Sequence, residues 1–328
     1  MAEVLQGGTR LQGESPLKVP GYPVISVITI VFNGAGLLEK TIRSVTGQSY
    51  PNIEYLIIDG GSTDGTTNII RQHEQQVSYW ISEPDRGIYD AMNKGLALAT
   101  GDFVWFMNTG DRIYSDDTLE KIFHSGPASG DPPDLALIYY GDTMIVDAEY
   151  REVGLRRLRP PEVLTWKSFK KGMVVCHQAI LVNRQIAEPF DPQYSHSADY
   201  DWVLRAIGRA VGGRRLAVGS RRWAVGSWQL AVGSRRWATH PHINSSTHQL
   251  INKSTHQQIN TSPHHQILNT HLILCAFLDG GHSKQHIGIS LRERFHSMRR
   301  HYGLLPTLIS HVPIVFRFAW YVLINKRF

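Results

Sequence analysis

Cysteine is nearly missing from this chain. Cys176 and Cys275 are the two present in 328 residues, too few and too far apart for a disulfide framework or a thiolate zinc site, so reduced thiols are expected. Long apolar runs are missing as well: nothing approaches the ~18 uninterrupted apolar residues of a membrane span. The opening stretch, MAEVLQGGTRLQGESPLKVPGYP, lacks the apolar core of a signal peptide, which makes a cytoplasmic protein the expectation. Acidic residues are absent from Arg209 to Thr270, where eight of the 34 Lys and Arg lie. The remainder holds 26 basic against 28 acidic residues, a net of −2, although the whole chain carries +6. The basicity belongs to one segment, and no nucleic-acid partner is expected for the rest.

That segment is low in complexity. From Leu216 it repeats every seven residues (LAVGSRR, WAVGSWQ, LAVGSRR) and from Ile243 every eight (INSSTHQL, INKSTHQQ, INTSPHHQ). Periods this short build no solenoid, and Gly-Ser in each seven-residue unit breaks a coiled coil. Residues 208–270 therefore read as a disordered insert, rich in Ser, Thr, Asn, Gln and His, that arose by expansion of a tandem repeat. Around it the chain divides into a tail over 1–21, a main α/β domain over 22–207, a return of that domain over 271–303 and a C-terminal segment over 304–328. With 42% hydrophobic residues the chain can bury a sizeable core.

The main domain alternates strand and helix signals. Val24 to Phe32 is a β-branched apolar run, and Leu37, Leu38, Ile42 and Val45 follow at helical spacing until Gly47 and Pro51. Ile53 to Ile58 reads as a second strand and Val77 to Ile81 as a third, before a helix from Ile88 to Ala99. Phe103 to Met107 is a fourth buried strand. This rhythm predicts a Rossmann-like, doubly wound, mostly parallel sheet. Further on, Thr118 to Phe123 reads as a short helix, Leu135 to Val146 as a strand broken at Gly141-Asp142, and Met173 to Val182 as an apolar strand around His177. A basic helix is expected from Leu291 to Tyr302. The apolar stretch Val312 to Asn325 suits a helix lying on a membrane surface or packed on the domain.

Open parallel sheets bind ligands just beyond the carboxyl ends of their strands. Two strands here run into turns that carry carboxylates, DGGSTDGT from Asp59 and NTGD from Asn108 to Asp111. Such turns offer free backbone N–H groups and an acid together, although Asn, Gly and Asp also make ordinary turns. Asp199 and Asp201 fall in the first turn of a helix, where the dipole favours them, so capping is their simplest role. For His177 the simplest reading is a satisfied wall residue.

Taken together, SVITIVFN (Ser26 to Asn33), Glu39, IIDGGSTDGT (Ile57 to Thr66), SEPDRGIYDAMNKG (Ser82 to Gly95), FMNTGD (Phe106 to Asp111), CHQ (Cys176 to Gln178), ADYDW (Ala198 to Trp202) and LDGGHS (Leu278 to Ser283) resemble the family 2 glycosyltransferases. These are inverting enzymes with a GT-A fold, and the likeness is greatest to the branch that builds bacterial capsule, exopolysaccharide or lipopolysaccharide. It covers 22–207 and about 271–303. The resemblance implies that Val31, Phe32, Asn33 and Asp59 contact the base and ribose of a nucleotide sugar. Asp85 and Arg86 would line the nucleotide and diphosphate side, Asp111 would hold a divalent metal (Mg or Mn) with Asn108 beside it, and Asp199 would be the catalytic base.

The chain departs from the family pattern at Gly60, where many relatives carry a second Asp, and at the metal turn, where Asp111 is the lone carboxylate. One carboxylate still suffices, because Mg²⁺ keeps waters and shares substrate phosphates. The implied partners are a nucleotide sugar and a saccharide or lipid-linked acceptor, with peripheral contact at the inner face of the membrane. Two other readings stay open. A sugar nucleotidyltransferase would need a glycine-rich phosphate loop with a lysine near the first strand, which is not found. A non-catalytic relic would follow if the insert displaced the acceptor side.

Overall fold

The computed structural model describes residues 4–13, 19–123, 136–212, 266–279 and 287–325. The seven- and eight-residue repeats, the loop that begins at Ser125, and Gly280 to Ser283 of the LDGGHS motif lie outside the described residues. In chain order the elements are β1 (Leu5–Gly7), β2 (Ile25–Val31), α1 (Ala35–Thr46), β3 (Ile53–Asp59), α2 (Thr66–Gln72), β4 (Tyr79–Ser82), α3 (Ile88–Leu98), β5 (Phe103–Phe106), β6 (Arg112–Ile113) and α4 (Thr118–Phe123). They continue with β7 (Ile138–Val146), β8 (Glu152–Leu155), β9 (Ile180–Asn183), α5 (Ala198–Ala210), β10 (Ile267–Leu278), α6 (Ile287–Tyr302) and α7 (Leu304–Asn325).

One mixed sheet runs in the order β1-β4-β3-β2-β5-β9-β7-β10-β6, and β8 pairs with β7. Strands β4, β3, β2 and β5 are parallel. The chain winds outward from β2 to β4 and then crosses back to β5, so the switch in direction falls between β2 and β5. A crevice opens at such a point because the two following loops diverge. Every residue of β2 is buried, as expected of a strand covered on both faces. Its two polar side chains are satisfied: Ser26 Oγ donates to Glu54 at 2.5 Å and Thr29 Oγ1 donates to the Met107 carbonyl at 2.8 Å. The expected Rossmann-like, mostly parallel sheet is met.

Several boundaries differ from expectation, each for a physical reason. The first residues are not a simple tail, because β1 adds antiparallel to β4 and Arg10 pairs with the buried Glu54. Strand β7 is not broken at Gly141-Asp142; the irregularity lies on its neighbour β10, between Asn269 and Ile273, where His271 is left-handed at φ 56°. A β-carbon at position 141 would fall 2.4 Å from the Leu272 carbonyl oxygen, so glycine admits that bulge. Around His177 the backbone is a single 3₁₀ turn, His177–Ala179, ahead of β9 rather than a strand. Helix α5 reaches Ala210 and β10 starts at Ile267, so folded elements enter both ends of the segment read as an insert.

The chain beyond the repeats is part of the fold. Strand β10 pairs in parallel with β7, and α6 grips α5. The Glu293 carboxylate on α6 accepts from the backbone N–H groups of Ser195, His196 and Ser197 at 2.8–2.9 Å, holding the chain that enters α5. One turn in, Asp201 is wholly buried and bonds Arg205 Nε and His301 Nε2, both at 2.7 Å. Burial opposes the charge of Asp201, but the His301 hydrogen bond and the Arg205 and His301 charges prevail and hold it at about 2. An unfolded aspartate titrates near ~3.9, so this stabilisation is complete above that pH and is lost as pH falls from about 4 toward about 2. Asp201→Asn should cost about 3–5 kcal/mol in urea unfolding at pH 7, the cost of breaking a buried pair. The gap between variant and wild type should narrow below pH 4; an unchanged gap at pH 3 would contradict the assignment.

Candidate active site

Three turns meet at the switch in the sheet. The first leaves β2 through Val31, which is buried, to Phe32, which is 65% exposed, and Asn33, which is left-handed at φ 50°. Asn33 is held in that conformation from the second turn: its N–H donates to Ser62 Oγ at 2.7 Å and its Oδ1 accepts from Thr63 N at 2.9 Å. Asp64 Oδ2 and Thr66 Oγ1 accept from Ala35 N and Gly34 N, both at 3.0 Å. Gly34 in turn packs against Thr109 of the third turn, since a β-carbon there would meet Thr109 Cγ2 at 2.9 Å.

Asp59 does not offer its carboxylate to a ligand. It is fully buried, and its oxygens accept from Ser62 N at 3.0 Å, from the Ser62 hydroxyl and from Ser82 Oγ at 2.5 Å. It braces the second turn, and Gly60, Phe32 and Asp85 form the surface over it. A β-carbon on Gly60 would lie 2.4 Å from Asp85 Oδ2 and 3.3 Å from Phe32 Cδ2. Partial burial lifts the Asp85 carboxyl above its usual range, against the pull of the Gly87 N–H and Lys94. Arg86 is exposed and pairs with Asp90 at 2.8 Å, so its guanidinium sits at the rim.

The third turn is latched by the CHQ segment. Trp105 Nε1 on β5 donates to the Gln178 carbonyl at 2.8 Å, and Gln178 Nε2 donates to Asp111 Oδ2 at 2.7 Å. Asp111 Oδ1 accepts from Leu278 N at 3.1 Å. Burial outweighs these bonds and raises the Asp111 carboxyl to about 6. Asn108 Nδ2 lies 3.2 Å from His177 Nε2, while Asn108 Oδ1 is the one buried side-chain oxygen without a hydrogen-bond partner among the described residues.

Asp199 lies on the far side of His177, whose Nδ1 is 3.2 Å from Asp199 Oδ2. Tyr89 on α3 donates its hydroxyl to Asp199 Oδ1 at 3.2 Å, and burial keeps that phenol protonated. Burial disfavours the charge on Asp199, yet the hydrogen bond from His177, with the Tyr200 N–H and Arg294, leaves its carboxyl below the usual range. The helix is aimed by Trp202, one turn on, which stacks on Phe190 at 5.0 Å and meets Phe106 edge-on at 5.7 Å. Each such aromatic pair adds about 0.5–1.5 kcal/mol beyond the area it buries. Asp199 and Asp201, alike in sequence, thus divide: the first faces the site and the second faces α6.

The Glycosyl transferase family 2 profile matches residues 26–187. An uncharacterized glycosyltransferase of Mycobacterium tuberculosis is 38% identical over 189 residues, 56% of this chain and 69% of the relative. The chain belongs to glycosyl transferase family 2. A PGL/p-HBAD biosynthesis glycosyltransferase of Mycobacterium bovis is 31% identical over 194 residues, 56% of this family 2 chain and 70% of its own length. The fold is shared with S. aureus TarS 1–349 in complex with UDP-GlcNAc, at TM-score 0.55 and 13% identity over 93% of this chain and 76% of that one. This places the glycosyltransferase in the GT-A class.

Of the expected site residues, Phe32, Asn33, Asp85, Asn108 and Asp199 line or link these turns, Val31 and Asp59 are buried supports, Asp111 is buried beside Asn108 with one hydrogen bond on each oxygen, and Arg86 stands at the edge. His177 and Tyr89 join the site unexpectedly. Tyr89 is part of an apolar stripe in the sequence, and nothing local distinguishes its hydroxyl. For His177 the polar pair His-Gln inside an apolar run is the available signal.

Proposed function

We propose that this glycosyltransferase transfers a hexose, with inversion, from a nucleoside-diphosphate sugar to a hydroxyl of a saccharide or lipid-linked acceptor in surface polysaccharide or glycolipid synthesis. The observation that carries the reading is the meeting of the nucleotide-side turns with Asp199 across His177. The exposed Phe32 ring offers a flat aromatic face for a base. Asp199, ionised and partly exposed, takes the acceptor hydroxyl proton as that oxygen forms its bond to the anomeric carbon. The bond from that carbon to the diphosphate oxygen breaks with the electron pair leaving on the nucleoside diphosphate, and attack opposite the leaving group inverts the centre. The M. bovis relative's part in PGL/p-HBAD biosynthesis supports a biosynthetic role. The integration of β10 and α6 into the sheet and the base helix argues against a relic whose acceptor side was displaced.

The orphaned Asn108 Oδ1 and the Asp111 carboxylate suit a hard divalent cation, which takes oxygen ligands and fills its shell with water and phosphate. When bound, such an ion neutralises charge gathering on the diphosphate. A further contact concerns the cell. Among the described residues no helix is long and apolar enough to cross a membrane. Helix α7 nevertheless buries Thr307 and His311 and leaves Leu304, Leu305, Leu308, Ile309, Val312 and Phe316 exposed. Its start packs beside the Trp166–Lys171 turn, whose Lys167 and Lys170 stand over the Trp166 ring. An apolar face edged by lysines fits an anionic lipid surface.

Asp199→Asn should lower transfer from a panel of UDP-, GDP- and dTDP-hexoses by about 10²–10⁴-fold while leaving nucleotide binding intact; unchanged turnover would remove Asp199 from the reaction. Mn²⁺ affinity measured by calorimetry with UDP present should fall about tenfold per pH unit below about 6, as a proton displaces the cation from Asp111. A flat profile from pH 7 to 5 would exclude Asp111 as a ligand. The pair Leu305→Glu and Ile309→Glu should cut co-sedimentation with phosphatidylglycerol-containing vesicles several-fold, and equal sedimentation would exclude α7 as the contact.

A further inference from the structure

Resting on the reading of Asp199 as the base, we infer that His177 is a positioning residue that ties the base to the donor-side turn through one fixed tautomer of its ring. The two contacts dictate that tautomer. The Asn108 amide nitrogen, 3.2 Å from Nε2, can only donate, so Nε2 carries the lone pair. The ring proton then sits on Nδ1, aimed at Asp199 Oδ2 3.2 Å away. Tyr89 bonds Oδ1, His177 faces Oδ2 and the Tyr200 N–H adds a third donor, and these fix the carboxylate while lone pairs remain for an acceptor hydroxyl.

The ring is itself immobilised. His177 heads the 3₁₀ turn His177–Ala179, and the next residue, Gln178, is locked to Trp105 through its carbonyl and to Asp111 through its side chain. Consecutive residues of one turn therefore hold Asn108 and Asp111, the two ends of the NTGD segment, while the first of them also orients Asp199. Whatever the donor does to Asn108 is felt at the base through a single side chain with no flexible link between.

The two ring nitrogens do separate jobs, and amide substitutions separate them. Asparagine places an N–H where Nδ1 lies and reaches no further, whereas glutamine places its amide near Nε2 and gives Asp199 nothing. His177→Asn should raise the donor KM and lower kcat clearly less than His177→Gln does. His177→Gln should keep the donor KM and lower kcat by about 10–100-fold, the usual cost of losing the group that orients a reacting residue. Thermal unfolding of both variants separates these effects from misfolding. Independently of turnover, two-bond ¹⁵N–¹H spectra of the imidazoles should show His177 protonated on Nδ1 in the free protein. A His177 protonated on Nε2 alone, equal losses of kcat in the Asn and Gln variants, or wild-type kinetics in His177→Ala would each overturn the inference. If Asp199→Asn is itself silent, the base assignment fails; if it abolishes turnover while His177→Gln does not, the role of His177 alone falls.

Discussion

The arrangement depends on one buried carboxylate. Asp201, enclosed by Arg205, Ser297 and His301, joins the helix that carries Asp199 to a helix lying beyond the repeats. A carboxylate wholly removed from water is tolerated when charge and hydrogen bonds surround it, and it then fixes geometry because no alternative packing satisfies it. The same partner helix supplies Glu293, which gathers three successive backbone N–H groups just before Asp199. The orientation of Asp199 is therefore set from the far side of the insert. The two portions of the domain are one folding unit in space, although the repeats separate them in sequence.

The parallel half was legible because strands covered on both faces write themselves as apolar runs. Val24 to Phe32, Ile53 to Ile58 and Phe103 to Met107 each coincide with a strand to within a residue or two. The antiparallel half was less so. Leu5–Gly7 and Arg112–Ile113 are two or three residues long and owe their form to the edges they pair with, not to their own pattern. Gly141 looked like a break because glycine often is one, and the reason for it lay on a strand 131 residues away in the sequence, at the Leu272 carbonyl.

The site shows the same division. The carboxylate turns were readable from composition, but which carboxylates face a ligand was not. Asp59 and Asp111 are both buried, but Asp59 is enclosed by the donors of Ser62 and Ser82, whereas Asp111 lies beside the unpartnered Asn108 oxygen. His177 could not be assigned from its neighbours because one partner, Asn108, is 69 residues away and the other is on a different helix. The resemblance located Asp199, and the structure adds the two groups that aim it.

Gly60 and Asp85 occupy one volume. The space that a side chain at the end of β3 would fill is already taken by a carboxylate reaching over from the loop after β4, itself anchored on the Gly87 N–H at 2.8 Å. Position 60 is bare because Asp85 fills the space its side chain would need, and the carboxylate at this point of the crevice comes from the loop after β4. A side chain restored at position 60 would first have to move Asp85 off the Gly87 N–H, so the shape of this wall of the crevice is set by the loop after β4.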